Sequence, residues 1–504
     1  MKSTYYITTP IYYVNDLPHI GHAYTTLACD VIARFKRLDE YEVFFLTGTD
    51  EHGQKVETAA KNNDVKPKEF VDKVSENFKN LVNCMNFSND SFIRTTEEKH
   101  IKSCQKIWEK LLSNGNIYLD KYSGWYAVRD EAFFSESEII DGKAPSGAPV
   151  EWVEEPSYFF NLSKWEQKLL DFYESNKDFI SPKSRRNEVI SFVKSGLKDL
   201  SISRTSFSWG VEVPNDKNHI MYVWLDALTN YLSACDYSNE EDDKVFKKFW
   251  PSDIHMVGKD IIRFHAVYWP AFLMAANLPL PKKVFAHGWW TNEGNKISKS
   301  LGNVIDPFQL VKEYGVDQIR YFLLREVPFG NDGDFSNSQL LNRINSDLAN
   351  SYGNLFQRVV SMIFKNCNET IPLKPNKFNQ EDLTLINSIK NSLNDYRNLI
   401  DEQKFDQYLK NIWIVISNAN KYVDEQAPWA LKKSNFERME VVLFTLVETI
   451  RQISILLQPF IPDTAEKILD HIKIPDDQRK LKSVDFIFNG NIKISLTNPL
   501  FPRI

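Results

Sequence analysis

The chain has 504 residues, of which 42% are hydrophobic, 25% charged and 13% aromatic; this is the mix of a folded soluble protein, not of a disordered or membrane chain, and at one domain per ~150 residues it predicts about three domains. Its apolar runs, such as Ile453–Ile461, are broken by residues like Ser454, Gln458 and Pro459, which excludes a membrane span of ~18 residues, and Met1–Pro10 lacks the apolar stretch of a signal peptide, so the cytoplasm is expected. The net charge of −6 decides nothing about nucleic acid, because a global sum says nothing of a local basic face.

In chain order, Tyr5–Thr9 reads as a short buried strand, Asn15–Pro18 as a turn and Ile20–Leu38 as a helix. A second strand, Glu42–Thr47, runs into Gly48-Thr49-Asp50-Glu51-His52-Gly53, the opening of a parallel sheet that binds ligands at the carboxyl ends of its strands. Helices follow at Pro67–Met85 and Glu97–Asn114. The stretch 115–214, rich in Gly, Pro and aromatics, reads as an insertion. The sheet is expected to resume with Ile220–Leu225, Ile254–Gly258 and Val284–His287. Beyond Pro328 helical spacing dominates at Asn337–Lys365, Asp382–Asp401, Phe405–Val423, Phe436–Leu457 and Thr464–Ile472, as in an all-α bundle. The expected fold is therefore a Rossmann-like α/β catalytic domain (1–114 and 215–300) split by a connective insertion (115–214). A linker region (301–350) and a helical domain (351–504) follow.

His19 and His22 stand three apart at the start of the first helix, where both rings can flank its positive end, a place for phosphate. Gly21 between them would let an adenine or ribose lie against the backbone. Far downstream, Lys296-Ile297-Ser298-Lys299-Ser300 follows a strand and lies between Gly294 and Gly302, a mobile loop whose two ammonium groups suit a triphosphate. Alone, each element would be ordinary surface; together they match the two signatures of class I aminoacyl-tRNA synthetases. Within that class, Pro10-Ile11-Tyr12-Tyr13-Val14-Asn15, Gly48–Gly53, Trp224-Leu225-Asp226-Ala227-Leu228, Gly258-Lys259-Asp260-Ile261 and Phe264-His265 resemble, in order, the blocks of the methionyl-tRNA synthetases, nearly end to end.

The resemblance implies that Ile11, Tyr13, Trp224, Ala227, Leu228, Tyr231, Ile261 and His265 surround the methionine side chain while Asp50 pairs with its ammonium group. A thioether packs well against rings, and a buried carboxylate holds an amine by a charge-assisted hydrogen bond. It also implies ATP with Mg²⁺ bound by His19, Gly21, His22, Lys296, Ser298 and Lys299. Of these, His19, His22, Lys296 and Lys299 are catalytic: they position the α-phosphorus for attack by the methionine carboxylate and neutralise the developing charge. No general base for the transfer to tRNA is identified.

Many members of the family carry a zinc knuckle near the stretch that resembles Tyr122–Glu131. Here 115–214 contains no cysteine, and Asp130 with Glu131 cannot supply four ligands, so no metal site is expected, as in the family's zinc-free bacterial forms. Trp125, Tyr126, Phe133 and Phe134 would organise the subdomain by packing instead. The helical part resembles the family's anticodon-binding domain. Asn354 and Arg358 share a helix face and Trp429 offers a stacking plane for an unstacked base, which implies tRNA for methionine, initiator included, as partner. With no appended dimerisation module, a monomer is expected. Alternatives are another class I enzyme, such as the cysteine enzyme with its cysteine-ligated zinc, or a small-molecule nucleotidyltransferase, for which the helical tail would have no purpose. A third is an RNA-binding protein without activation chemistry.

Overall fold

A computed structural model describes the chain except residues 1–2, 15–16, 131, 135, 239–242 and 298–303, and except the side chains of Tyr122, Ala132, Phe133, Asn295 and Lys296. It opens with β1 (Thr4–Thr8), β2 (Tyr12–Tyr13), α1 (Ile20–Leu38), β3 (Glu42–Asp50), α2 (Gln54–Asn62), α3 (Pro67–Cys84), β4 (Ser91–Arg94) and α4 (Glu98–Ser113). Next come β5 (Ile117–Ala127), β6 (Ala132–Phe134), β7 (Glu151–Phe160), α5 (Glu166–Ser175), β8 (Ile180–Ser181) and α6 (Lys183–Lys194). Four short strands follow: β9 (Leu200–Ser201), β10 (Ser203–Arg204), β11 (Glu212–Val213) and β12 (Asp216–Met221). The chain then forms α7 (Val223–Ser233), α8 (Lys244–Phe249), β13 (Ile254–Gly258), α9 (Trp269–Ala275), β14 (Val284–His287), β15 (Trp290–Asn292) and β16 (Asn295–Lys296).

The main sheet is parallel throughout. β1 lies at its middle, with β3 on one side and β13 on the other. β3 also pairs with β2 and β4, and β13 leads outward to β14 and β8. The chain thus fills the sheet first on one side of β1, with β3 and its neighbours, and later on the other, with β13 and β14, and the crevice at such a switch point is where open α/β sheets bind ligands. Successive side chains of the strands enter different cores: Tyr6, Leu46, Val257 and Ala286 pack against α4 and α7, whereas Ile7, Phe45, Met256 and Phe285 pack against α1. This period of two is what a sheet covered on both faces requires.

The expected strand Ile220–Leu225 does not belong to this sheet. Ile220 and Met221 end β12, which pairs antiparallel with β10 and β11, and the chain turns into α7 at Val223. An apolar run fits a buried strand or a buried helix equally, and every residue of α7 except Trp224 is buried, so no amphipathic period was there to decide it. The sheet's outer strand β8 comes from within 115–214. α2, not expected from the sequence, is a nine-residue helix burying only Val56 and Ala60.

Past β14, β15 pairs with β16 and with β17 (Gly333–Phe335), while α10 (Pro307–Tyr314) and α11 (Val316–Arg325) lead toward the helical part. That part comprises α12 (Asn337–Asn342), a π-helical stretch Arg343–Gly353, α13 (Asn354–Asn366), β18 (Thr370–Ile371), α14 (Gln380–Asn391), α15 (Leu393–Asp401), α16 (Phe405–Gln426), α17 (Pro428–Ser434), α18 (Phe436–Leu457), α19 (Pro462–His471) and β19 (Ile492–Lys493). Its apolar faces join the core beneath α1 without a break, so that Ile20, Phe35, Phe322, Tyr408 and Ile453 belong to one cluster.

A buried charge pair spans this junction. Asp30 on α1 accepts from Arg320 at 2.6 Å, from Arg34 at 2.8 Å, and from the backbone N–H and hydroxyl of Ser88 at 2.6 and 2.7 Å. Burial would raise its pKa, but Arg320 and Arg34 hold the carboxyl below the usual carboxylate range. Arg320, itself wholly buried, also donates to the carbonyls of Met85, Asn86, Pro459 and Phe460. Removing one partner strands the other charge in the core. Arg320→Met is therefore expected to lower the unfolding free energy in urea by about 3–5 kcal/mol, with part of the loss recovered when Asp30→Asn is added.

Candidate active site

The carboxyl ends of β1, β3, β13 and β14 lie side by side along one edge of the parallel sheet, and each delivers one of the motifs. The loop after β1 carries Ile11, Tyr13 and the first histidine pair. α1 begins at Ile20, with His19 as the residue before it. The Nδ1 of His19 accepts the Gly21 N–H at 3.0 Å and the Nδ1 of His22 accepts the His19 N–H at 3.1 Å. This is a capping box in which two imidazoles do the work usually done by a hydroxyl and a carboxylate. Because both δ nitrogens accept, the ring proton of each sits on Nε2, leaving two N–H donors beside the positive end of the helix.

The two rings lie 4.0 Å apart. His22 is held edge-on by Tyr12 and Phe78, and burial, with the neighbouring His19, keeps its pKa well below the ordinary histidine value. Gly21 answers a need beyond access for a ligand. A Cβ there would come within 2.9 Å of the His19 ring.

Asp50 ends β3, in register with Tyr13 of β2, and is 7% exposed. The Tyr13 hydroxyl donates to the carbonyl of His52 at 3.0 Å. Opposite them stand α7 and the turn after β13. Trp224 lies flat on Phe264 at 3.7 Å and meets His265 edge-on at 6.2 Å. Ile11, Tyr13, Trp224 and Ile261 are half-buried against the core that contains Leu228 and Tyr231, and Ala227 is buried beside them. His265 sits on a single π-helical turn, Phe264–Tyr268, a distortion frequent at functional sites. Its Nδ1 lies 2.9 Å from the Ile261 carbonyl and its Nε2 lies 2.7 Å from the Tyr231 hydroxyl. A carbonyl only accepts, so Nδ1 bears the proton and Tyr231 donates to Nε2. Burial lowers the pKa of His265 to about 4, which keeps this chain of hydrogen bonds in one polarity at neutral pH.

The lysine motif meets the structure only in part. Lys296 lies in β16, paired with Thr291 of β15; its side chain, like Ser298 and Lys299, lies outside the described residues. The exit of that segment is tied to the histidine pair nonetheless, because the Ile20 N–H donates to the Ile305 carbonyl at 3.2 Å. In the helical part Asn354 is exposed at the start of α13, and Arg358, one turn on, pairs with Asp424 of α16 at 2.8 Å. Trp429, in the first turn of α17, is 52% exposed.

The five cysteines are free thiols, spread through the chain. Among the described residues, one group has metal-ligand types within 4.8 Å of one another: His100, Cys104 and Asp226, all buried. Their ligand atoms are hydrogen-bonded to one another. In the insertion, Trp125 meets Trp152 edge-on at 5.2 Å and Phe134 packs on Ala127, Ala144 and Ala148. Sequence reading missed the histidine capping box, although a polar residue followed three later by another acceptor is its general signal.

A family model described as tRNA synthetases class I (M) matches residues 5–149 and 145–360, and one described as the anticodon binding domain of methionyl tRNA ligase matches 372–490. The methionine–tRNA ligase of Rickettsia felis is 57% identical, covering 100% of this chain and 99% of that protein, and the one of Brucella suis is 51% identical, covering 100% and 98%. Among solved structures, Mycobacterium tuberculosis methionyl-tRNA synthetase in complex with methionyl-adenylate matches with a TM-score of 0.96 at 48% identity over 100% of both chains. The apo form of that enzyme matches at 0.90 and 46%, over 100% of this chain and 99% of that one.

Two outcomes follow for the site. Gly21→Ala should push the His19 ring off its cap and cut amino-acid activation about 10–100-fold, read as a fall in kcat with little change in thermal midpoint. His265 and His287, whose pKa values burial lowers to about 4, stay neutral while the unfolded chain protonates near 6.5. The unfolded state then binds more protons, so stability is full above about pH 6.5 and falls as the pH drops toward 4, by at most about 3 kcal/mol per ring. Unfolding followed between pH 8 and 4 checks this, and His265→Gln should flatten its share of the slope.

Proposed function

This chain belongs to the methionyl-tRNA synthetase family, and from that premise we propose how its residues divide the work. Its activity is ATP-dependent ligation of methionine to tRNA, through methionyl-adenylate. ATP, with its Mg²⁺, enters as the substrate.

The observation that carries the reading is the pair of capped imidazoles. His19 and His22 offer Nε2–H groups that are fixed by backbone hydrogen bonds before any ligand arrives, so they meet the phosphate charge that builds up during attack without reorganising. Gly21 leaves the backbone open to the nucleotide. Lys296, Ser298 and Lys299 complete the phosphate set from the second motif, whose exit is held to α1 through Ile305. The methionine carboxylate attacks the α-phosphorus, the bond to the β-phosphate oxygen breaks and pyrophosphate leaves.

For the amino acid, the Asp50 carboxylate takes the ammonium group and thereby turns the carboxylate of methionine toward the nucleotide. Ile11, Tyr13, Trp224, Ala227, Leu228, Tyr231, Ile261 and His265 form the side-chain slot. His265, kept neutral and pinned between Ile261 and Tyr231, presents no charge to a thioether. A slot of this kind separates analogues differing by one methylene by about 1–3 kcal/mol.

In the helical part, Asn354, Arg358 and Trp429 take the anticodon, initiator tRNA included. The Arg358–Asp424 pair supports this because it joins the α13 face to the end of α16, just before the α17 turn that carries Trp429. The enzyme works without zinc, a reading supported by an insertion that holds no cysteine.

Amino-acid-dependent ATP–pyrophosphate exchange tests the assignment on metal-depleted protein resupplied with Mg²⁺ alone. Exchange should appear with methionine and not with cysteine, isoleucine, leucine or valine; a zinc requirement would overturn the zinc-free reading. Asp50→Asn should raise the methionine KM about 100-fold with the ATP KM unchanged. Arg358→Ala should leave exchange intact and weaken aminoacylation of tRNA by at least about tenfold in kcat/KM; loss of exchange in that variant would count against an anticodon role.

A further inference from the structure

Among the buried ionisable groups that the proposed site leaves unused is Asp226. It lies on α7 between Trp224 and Ala227 and is 1% exposed. Its Oδ2 accepts from His52 Nδ1 at 2.7 Å and its Oδ1 from His100 Nε2 at 2.7 Å. Burial would raise its pKa, but the two imidazoles hold the carboxyl well below the usual carboxylate range. A buried carboxylate whose two oxygens are each bound by a separate element is costly unless both bonds are kept.

The elements it joins are the two walls of the methionine slot. His52 follows Asp50 by two residues at the end of β3, and its carbonyl also accepts the Tyr13 hydroxyl at 3.0 Å. An indole edge braces its ring, Trp209 at 5.6 Å. Trp209 is locked in turn, its Nε1 donating to the Glu51 carbonyl at 2.6 Å and its carbonyl accepting from the Gly53 N–H at 3.0 Å. His100, on α4, lies with its Nδ1 2.8 Å from the hydroxyl of Ser233, the last residue of α7. α7 is thus pinned at its first turn and at its end. The helix so held bears Trp224, Ala227, Leu228 and Tyr231.

We propose that His52, Asp226 and His100 form a positioning relay that fixes the spacing between Asp50 and the apolar wall on α7, and so sets how tightly the enzyme holds an amino acid of methionine's length. None of the three touches the reacting atoms. The inference rests on the reading of Asp50 and α7 as the amino-acid site.

The test uses the different reach of the two side-chain amides. An Asn amide nitrogen falls where Nδ1 of histidine lies and that of Gln where Nε2 lies. His52→Asn and His100→Gln keep the donor to Asp226, whereas His52→Gln and His100→Asn lose it. With pyrophosphate exchange as the assay on the full chain, the second pair should raise the methionine KM about 10–100-fold while the ATP KM stays put, and the first pair should stay near the parent value. A parallel rise in both KM values that tracks a fall in thermal midpoint, or no difference between the two pairs, would overturn the relay in favour of a purely structural network. Asp50→Asn run alongside separates the two layers of argument: no effect there sinks the amino-acid site and the relay with it, whereas a raised methionine KM there beside indifferent histidine variants sinks the relay alone.

Discussion

The fold hangs on a carboxylate that cannot be left alone. Asp30 sits midway along α1, out of water, and is tolerable only because Arg320, Arg34 and Ser88 supply four donors to it. Arg320 in turn is tolerable only because α1, the end of α3 and the turn between α18 and α19 all offer acceptors. Low dielectric makes such a network all or nothing. It fixes α1, and the first residues of α1 carry the histidines. The position of the histidine pair is thus set by a charge pair about three helical turns away and by the helical part beyond it.

Inside the crevice the design is the reverse. Two side chains there are kept neutral: His22 and His265 have pKa values well below the ordinary one, and each has a ring nitrogen committed to a backbone partner. Fixed negative charge is buried at Asp226, between His52 and His100, and a second carboxyl, Asp50, stands at the end of β3. The pre-oriented ring N–H of His22 and the uncharged ring of His265 follow from the same device, an imidazole whose tautomer the main chain dictates.

Much of this was legible from the residues. α1 and α18 fall where the apolar period put them, Ile20–Leu38 and Phe436–Leu457, and β13 and β14 match Ile254–Gly258 and Val284–His287. The two helices are marked by their length, 19 and 22 residues, and the two strands by sharp bounds. The strand expected at Ile220–Leu225 was lost because a helix buried on all sides leaves no pattern in its sequence. β8 was invisible because two residues carry no period at all. The histidine pair and the blocks around Asp50, Trp224 and His265 were expected from their residue pattern and family resemblance, and the structure gathers them at the carboxyl ends of the strands. The partners Asp226, His100 and Arg320 could not be read, since a buried ion pair is encoded by residues far apart in sequence and no local signal joins His52 to Asp226 or Asp30 to Arg320.

The single hydrophobic cluster that runs from Ile20 through Phe322 to Ile453 bears on how such a protein changes over generations. Interfaces between separable modules are polar and thin, and genes can exchange the modules on either side of them. Here the tRNA-facing helices and the underside of the catalytic sheet are one packed solid, so a foreign helical part would have to match side-chain volumes as well as read the right nucleic acid. Variation is therefore channelled to the one part of the insertion whose small core, Ala127, Ala144 and Ala148, stands apart, whereas the rest of the insertion packs with α4 and α7 and supplies β8 to the main sheet.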